Sequence, residues 1–423
     1  MKRKKQWLLI GTAVVAVALC VTVMLHILLK PRKSEQSQIK VESKLPFGNY
    51  LPTAENPLIR VVLKTNGFQG VAHSEVKVKY KNDPNVEETI TPDDPRFQNG
   101  SIRIEPETKG GRITISSLHR GYGTPSYRGV LELYKTAEGI VIVNEVPVEE
   151  YLYAVVPSEM PSSYASEALK CQAICARSYA YCQMSAFAYP QYNAHVDDSV
   201  SFQVYGNSKE KGSTTEAVNL TAGKKLWFQN QVVKTYYYST SCGHSTSVEA
   251  WGTTLSKNNQ YLKGVKICDE KGKDYERTYP WYRWTATMPK GTLSNLIELN
   301  TETEIGTLKE LSITKTGIGG VALQITAKGT KGSVTVNTEN KIRSALGGTG
   351  YSIVRQDGTK VDSTKLLPSA FFTIEKQGDN FILKGGGYGH GIGMSQNGAN
   401  EMAKSGKTHE EILTFFYPGT EVK

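Results

Sequence analysis

Residues 146–190, VPVEEYLYAVVPSEMPSSYASEALKCQAICARSYAYCQMSAFAYP, divide the chain into two kinds of sequence. Before them, apolar residues come in short runs rich in β-branched side chains: LIRVVLK from Leu58, SEVKVKY from Ser74, SIRIEP from Ser101, GRITISS from Gly111, GVLELYK from Gly129 and GIVIVNEVPV from Gly139. Alternation and β-branching of this kind spell strands. Within the quoted stretch, residues 164–188 turn to Ala, Leu, Gln and Arg, a helical composition. Ser162 or Ser163 is a natural N-cap for that helix, and Pro190 limits its far end.

Beyond it, strands resume around residues 224–241 and in ELSITKT, VALQITAKG, GSVTVNT, FFTIEKQ and NFILKG, to about residue 380. The last segment reads as a helix over 395–405 ended by Gly406. A second short helix follows, opened by the capping-box pair Thr408 and Glu411 and closed by Pro418. Many strands with few helices, one of them long, predict an α+β class. The expected arrangement is a β-rich ectodomain with one long helix and short C-terminal helices around a substrate cleft. Its divisions are a β region over 58–145, a core over 146–252, a second β-rich region over 253–380 and a C-terminal part over 381–423. No internal repeat of fixed period is present.

The run from Trp7 to Leu29 is apolar apart from Gly11, Thr12, Thr22 and His26. As a helix it extends roughly 35 Å, enough to cross a hydrocarbon core. It is longer than a signal-peptide h-region and no small-x-small cleavage site follows, so it predicts an uncleaved single-pass anchor. Residues 1–6 form a short stub on the cytoplasmic side, and residues 30–57 a polar linker with scattered prolines. The expected location is the cell membrane, with the C-terminal ectodomain extracytoplasmic. The net charge of +10 points to nucleic acid only until it is located. Residues 1–33 hold seven basic and no acidic side chains, which leaves 10 − 7 = +3 for the rest. That mild excess predicts no nucleic-acid partner and suits a cell-wall polymer.

Of six cysteines, Cys20 lies in the apolar run. Cys171, Cys175 and Cys182 form one stripe on the predicted helix and are expected to pack inside as small apolar residues. Cys242 and Cys268 are candidates for pairing in an oxidising space.

Glu159 lies in VVPSEMPSSY between Pro157 and Pro161. Prolines stiffen the backbone on both sides, so a carboxylate on such a turn can be aimed into a cleft as a general acid; the bland alternative is a surface glutamate. Lys170 and Arg177 share a helix face, with Gln172 nearly opposite. Paired cations of this kind form a solvated face or, beside Glu159, hold a polar ligand. Tyr179 and Tyr181 add aromatic surface. In GGGYGHGIGMSQ, His390 is flanked by glycines. The loop reads as a tight strand-to-helix connection or as a cleft wall with His390 touching ligand; no dinucleotide unit surrounds it to support a phosphate loop. A zinc site from Cys242, His244, His195 and His390 has no supporting spacing, so neither metal nor cofactor is expected.

Together these stretches resemble the stage II sporulation protein D family, also called the SpoIID/LytB domain family. The matching segments are NEVPVEEYLYAVVPSEMPSSYASEALKCQAICARSYAY, AVNLTAGKKLWFQNQVVKTYYYSTSCGHST, IRSALG and GGGYGHGIGMSQNGANEMAKSGKTHEEILTFFYPGT, in the family's order. The resemblance implies a lytic transglycosylase that cleaves MurNAc–GlcNAc bonds of peptidoglycan glycan strands, preferably denuded ones, to 1,6-anhydroMurNAc ends, with a role in sporulation and engulfment. The alternative it implies is a non-catalytic enhancer of a cell-wall amidase. On the enzyme reading it makes Glu159 of PSEMP catalytic and Lys170, Gln172 and Arg177 of EALKxQAxxAR substrate-binding. Tyr388 and His390 of GYGHG line the same cleft. Asp197 and Asp198 are candidates for the second carboxylate an ordinary glycosidase uses. Some clostridial relatives hold zinc with a His/Cys cluster ahead of a Q-x-Y segment; the stretch here, HVDDSVSFQVYG, has Ser201 and Phe202 before Gln203 and no cysteine.

Overall fold

A computed structural model describes residues 56–423 apart from Pro84. The expected stub over 1–6, the anchor over 7–29 and nearly all of the linker over 30–57 lie outside the described residues. Among the described residues no helix is long and apolar enough to cross a membrane. The described chain is α+β, with seven α-helices and several separate sheets.

The first sheet has the strand order Val196–Asp197, Leu58–Leu63, Gly139–Pro147, Val130–Thr136, Ile102–Ile104. Leu58–Leu63 runs antiparallel to Gly139–Pro147, with Val61 opposite Asn144. Most of Gly139–Pro147 is buried, which explains its continuous apolar run. The edge strand Val196–Asp197 pairs in parallel with Leu58–Leu63, so the N-terminal β region recruits chain from beyond residue 145.

Three helices follow: α1 (Val148–Glu159), α2 (Ser166–Gln183) and α3 (Gly212–Leu220). The turn expected around Glu159 is instead the end of α1. Pro157 lies in that helix's last turn, where it removes one backbone bond without breaking the element. Ser158 Oγ donates to the Ala154 carbonyl at 2.7 Å, and Met160 N–H closes the turn on Val156 at 2.9 Å. The expected cap at Ser162 or Ser163 is also corrected. Tyr164 N–H bonds the Pro161 carbonyl in a turn, and α2 starts at Ser166 after Ala165, with no side-chain cap. Tertiary bonds fix that start. Ala165 N–H donates to Asn400 Oδ1 at 3.0 Å, and Glu167 Oε2 accepts from the His409 backbone at 2.7 Å.

Helix α2 is buried on nearly every side because it lies between two cores. Leu169, Cys171, Ile174 and Cys175 enter one; Ala173, Ala176, Ala180 and Tyr181 enter the other. Cys171 and Cys175 are fully buried, and Cys182 is half-buried. The first core extends under the five-stranded sheet centred on Trp284–Pro289, with α4 (Lys290–Thr301) and α5 (Glu339–Leu346). The C-terminal helices are α6 (Gln396–Lys404), capped by Ser395, and α7 (His409–Phe416), whose Thr408–Glu411 capping box forms in both directions.

A short parallel ladder joins the two quoted loops. Tyr237 pairs with Met394 and Tyr238 with Ser395, and Thr246 bridges Ile392 nearby. Glycine permits the approach. A Cβ on Gly393 (φ 78°) would lie 2.0 Å from the Tyr236 carbonyl oxygen, and one on Gly389 (φ 122°) 2.6 Å from Tyr238 Cβ.

Candidate active-site cleft

Glu159, the last residue of α1, meets three other segments. Val204 N–H donates to its Oε1 at 2.7 Å, and the Tyr237 hydroxyl also bonds the carboxylate. Gln396 Nε2 donates to the Glu159 carbonyl at 3.0 Å and to Gln172 Oε1 at 3.2 Å. Behind Tyr237, Gln203 Nε2 donates to the phenol oxygen at 3.1 Å, so the phenol hydrogen is free to point at Glu159. Glu159 as a whole residue is half-buried. Surrounding protein excludes most water from the carboxyl, and this outweighs both hydrogen bonds to raise its pKa from 4.5 to about 7.

His390 reaches the same group through Tyr237, whose backbone it hydrogen-bonds. Its Nδ1 accepts from Ile392 N–H at 3.0 Å, which leaves the proton on Nε2. Burial, then the Arg343 charge, push its pKa down to about 3, so the ring is neutral at physiological pH. Trp251, Tyr238 and Tyr236 surround it, with ring centroids at 5.1, 5.6 and 6.5 Å. Tyr236 in turn meets Trp251 at 4.7 Å and Tyr179 at 6.2 Å. In this aromatic wall Tyr236, Trp251 and His390 are half-buried, while Tyr179 and Tyr238 are buried.

The other expected contacts are placed elsewhere. Gln172 is fully buried; its oxygen accepts from Gln396, and its Nε2 has no hydrogen-bond partner. Arg177, expected to contact ligand, is 0% exposed. It forms a bidentate pair with Glu149, both bonds at 2.7 Å, and donates to the Val218 and Lys224 carbonyls. In this structure it clamps α1, α2 and the end of α3 together, and does not face the cleft. Lys170 pairs with Glu167 at 2.6 Å beside His409, at the junction of α2 with α7. Tyr388 is 41% exposed and packs on Trp281 at 4.8 Å.

Asp197 and Asp198 are buried at the edge of the first sheet. Asp197 accepts from Tyr189 Oη and Ser199 Oγ, both at 2.6 Å, and Asp198 is ion-paired with Arg120 at 2.7 Å in a fully buried contact. Of the four residues named for zinc, His195 stacks on Phe187 beside the first sheet and His390 sits in the aromatic wall. Among the described residues no group of three or more His, Cys, Asp or Glu side chains is placed to hold a metal ion. Cys242 and Cys268 are free thiols in the structure. An open depression of about 490 Å³ lies along α3, lined by Glu210, Lys211, Thr215, Glu216 and Asn219, and includes none of the expected residues.

A family model described as stage II sporulation protein matches residues 136–228, the span carrying α1, α2, Glu159 and Gln203. The stage II sporulation protein D of Bacillus subtilis (strain 168) is 32% identical over 309 residues, covering 69% of this chain and 78% of that protein. The chain belongs to the stage II sporulation protein D family. The family member from Bacillus amyloliquefaciens is likewise 32% identical, over 331 residues, 75% of this chain and 82% of that protein. The amidase enhancer of Bacillus subtilis (strain 168) is 29% identical over 299 residues, 64% of this chain but 40% of that protein. A domain of unknown function matches residues 248–393, which carry Trp251 and His390. Tyr237 and Gln396 fall outside both matched spans.

Sequence reading missed five contributors. Gln203 and Val204 were noticed only as the segment that lacks zinc ligands, and Tyr237 only as part of a tyrosine run. Gln396 stood in a quoted motif without a role. The fifth is Glu276, fully buried, which accepts from Ser241 N–H at 2.8 Å and Ser395 Oγ at 2.7 Å and bonds the Ser241 hydroxyl. It fastens the loop after Tyr238 to the N-cap of α6.

Proposed function

We propose that this protein is a lytic transglycosylase of the cell wall, anchored by residues 7–29 with its ectodomain outside, and that Glu159 is its single acid/base. The observation that carries this reading is a carboxyl raised to about 7 in a half-buried residue at the end of α1, with one backbone and one phenol donor. A group poised there is protonated often enough to give a proton and basic enough to take one back. Glu159 protonates the glycosidic oxygen as the MurNAc–GlcNAc bond breaks. The carboxylate left behind removes the proton from the MurNAc C6 hydroxyl, whose oxygen closes a 1,6-anhydro ring. No water enters and no second carboxylate is needed. Hydrolysis ordinarily uses a partner carboxylate within about 5–10 Å. The proposed partners, Asp197 and Asp198, are buried in bonds to Tyr189, Ser199 and Arg120, which favours ring closure. Gln172 and Gln396 hold the end of α1 in place, and the half-buried Tyr236, Trp251 and His390 support the glycan. Mass spectrometry of products from stem-peptide-free strands tests this reading: anhydro ends support it, and reducing MurNAc ends mean hydrolysis.

A second reading rests on the relative named amidase enhancer. In it the cleft binds glycan and stimulates a partner amidase without cutting. The discriminating result is stimulation of a co-purified amidase that is unchanged by Glu159→Gln.

A further inference from the structure

Lys234 belongs to none of the motifs that suggested a site, yet its side chain lies against the aromatic wall. Its backbone is pinned from both sides. Thr235 Oγ1 donates to the Cys175 carbonyl of α2 at 2.7 Å, Val233 N–H bonds Leu226 at 3.0 Å, and the Lys234 carbonyl accepts from Tyr261 Oη at 3.1 Å. The ammonium then sits 5.1 Å from the Tyr179 ring centroid and 5.9 Å from that of Tyr236. Those two rings link Glu159 to His390: Tyr179 feels the Glu159 charge, and Tyr236 packs on Trp251 and His390.

A partly buried cation normally has a carboxylate beside it. Among the described residues Lys234 Nζ has no ion-pair partner, and its contacts are the two ring faces. The neighbouring Cys182 supplies no charge, because burial pushes its thiol up to about 12. Burial also lowers the Lys234 pKa, so the ammonium is held at a cost that a bound anion would relieve. An unpaired ammonium held over the Tyr179 and Tyr236 rings, beside the half-buried Tyr236 and Trp251, suits a sugar bearing a negative substituent. On a glycan strand that substituent is the lactyl carboxylate of MurNAc, which is free only where the stem peptide has been removed.

We propose that Lys234 is a specificity-determining residue that pairs with the free lactyl carboxylate of a MurNAc unit seated beside the half-buried Tyr236 and Trp251. The proposal rests on the glycan-cleaving reading above. It assigns discrimination between stripped and peptide-bearing strands to one ammonium, independently of Glu159.

The test is titration calorimetry on the full chain with Glu159→Gln, which keeps the ligand intact, and on the same chain also carrying Lys234→Met or Lys234→Arg. Three oligomers of equal length are compared: alternating GlcNAc–MurNAc with free lactyl carboxylates, the same with those carboxylates converted to methylamides, and GlcNAc alone. Charge-assisted bonds of this kind predict that the free acid binds about 10- to 100-fold tighter than the amide. Lys234→Met should abolish that difference while leaving affinity for the GlcNAc oligomer within about twofold, and Lys234→Arg should keep part of it. Equal binding of acid and amide, or a preference that survives Lys234→Met, overturns the assignment while leaving glycan binding intact. If no oligomer binds the parent form and it retains its native circular dichroism, the glycan reading itself fails and Lys234 falls with it.

Discussion

Replacing Glu159 by Gln should separate the two consequences of its environment, activity and stability. Gln keeps the shape, and its amide oxygen still accepts from Val204 N–H. It cannot carry a proton between the leaving oxygen and the C6 hydroxyl, so the cleavage rate should fall at least about 10²–10⁴-fold. The stability effect follows from the shift from 4.5 to about 7. At about 1.4 kcal/mol per unit this is at most about 3 kcal/mol, and solvent reaching the cleft brings the value to look for nearer 2 kcal/mol. The folded state holds the proton more tightly than the unfolded chain. That contribution is therefore full below about pH 4.5 and lost as pH rises through about 7. Relative to Glu159→Gln, the wild type should lose about 2 kcal/mol between pH 5 and pH 8. Urea unfolding of both forms at several pH values measures this, alongside product analysis on denuded strands. A stability difference that does not change with pH would refute the raised carboxyl. Wild-type cutting by the Gln form would refute the acid/base assignment.

Arg177→Ala should destabilise the fold by about 3–5 kcal/mol, because it leaves Glu149 unpaired where α1, α2 and α3 meet; a variant that melts normally but binds glycan weakly would restore the ligand-contact role. Purified ectodomain should contain well under one equivalent of zinc and keep its activity in chelator. Stoichiometric zinc by elemental analysis, lost on substituting Cys242 or His244, would reverse that expectation. Protease added to wall-stripped cells should release the ectodomain and leave a small membrane fragment; complete protection, or a trimmed protein in the medium, would remove the anchor.

Local signals were legible in the sequence. The long helix, the helix expected over 395–405 and the Thr408–Glu411 box rest on local sequence, and all three form, the second of them within a residue of its expected bounds. Helix α1 was hidden because Pro157 and Pro161 read as a stiff turn. Pro147 actually stands at the N-cap, and Pro157 falls where little of the helix remains. The start of α2 was misplaced for the opposite reason. Ser162 and Ser163 are good caps in isolation, but the bonds that set the helix start come from Asn400 and His409, more than two hundred residues away. The placement of Arg177 was hidden with it: without α1, Glu149 was not a visible partner, and two cations on one face read as a solvated face or a hold on a polar ligand.

The cleft shows why motif residues alone do not assign an acid. Two carboxyls, Glu159 and Glu276, are raised to about 7, both chiefly by burial. Glu276 comes from KGKDYERTYP, a stretch charged enough to read as a solvated loop, and nothing local marks it as interior. Its oxygens are occupied by Ser241 and Ser395, and it has no exposed surface. A proton held there has no route to a substrate, so its elevation is a cost of fastening Tyr237 and α6 in register. Glu159 has fewer donors and belongs to a residue that keeps some exposed surface, and the element that Glu276 fastens carries the phenol that contacts it. The elevated pKa is shared by both residues; access decides which of them can do chemistry, and access is fixed by contacts among Glu159, Val204, Tyr237 and Gln396 that lie far apart along the chain.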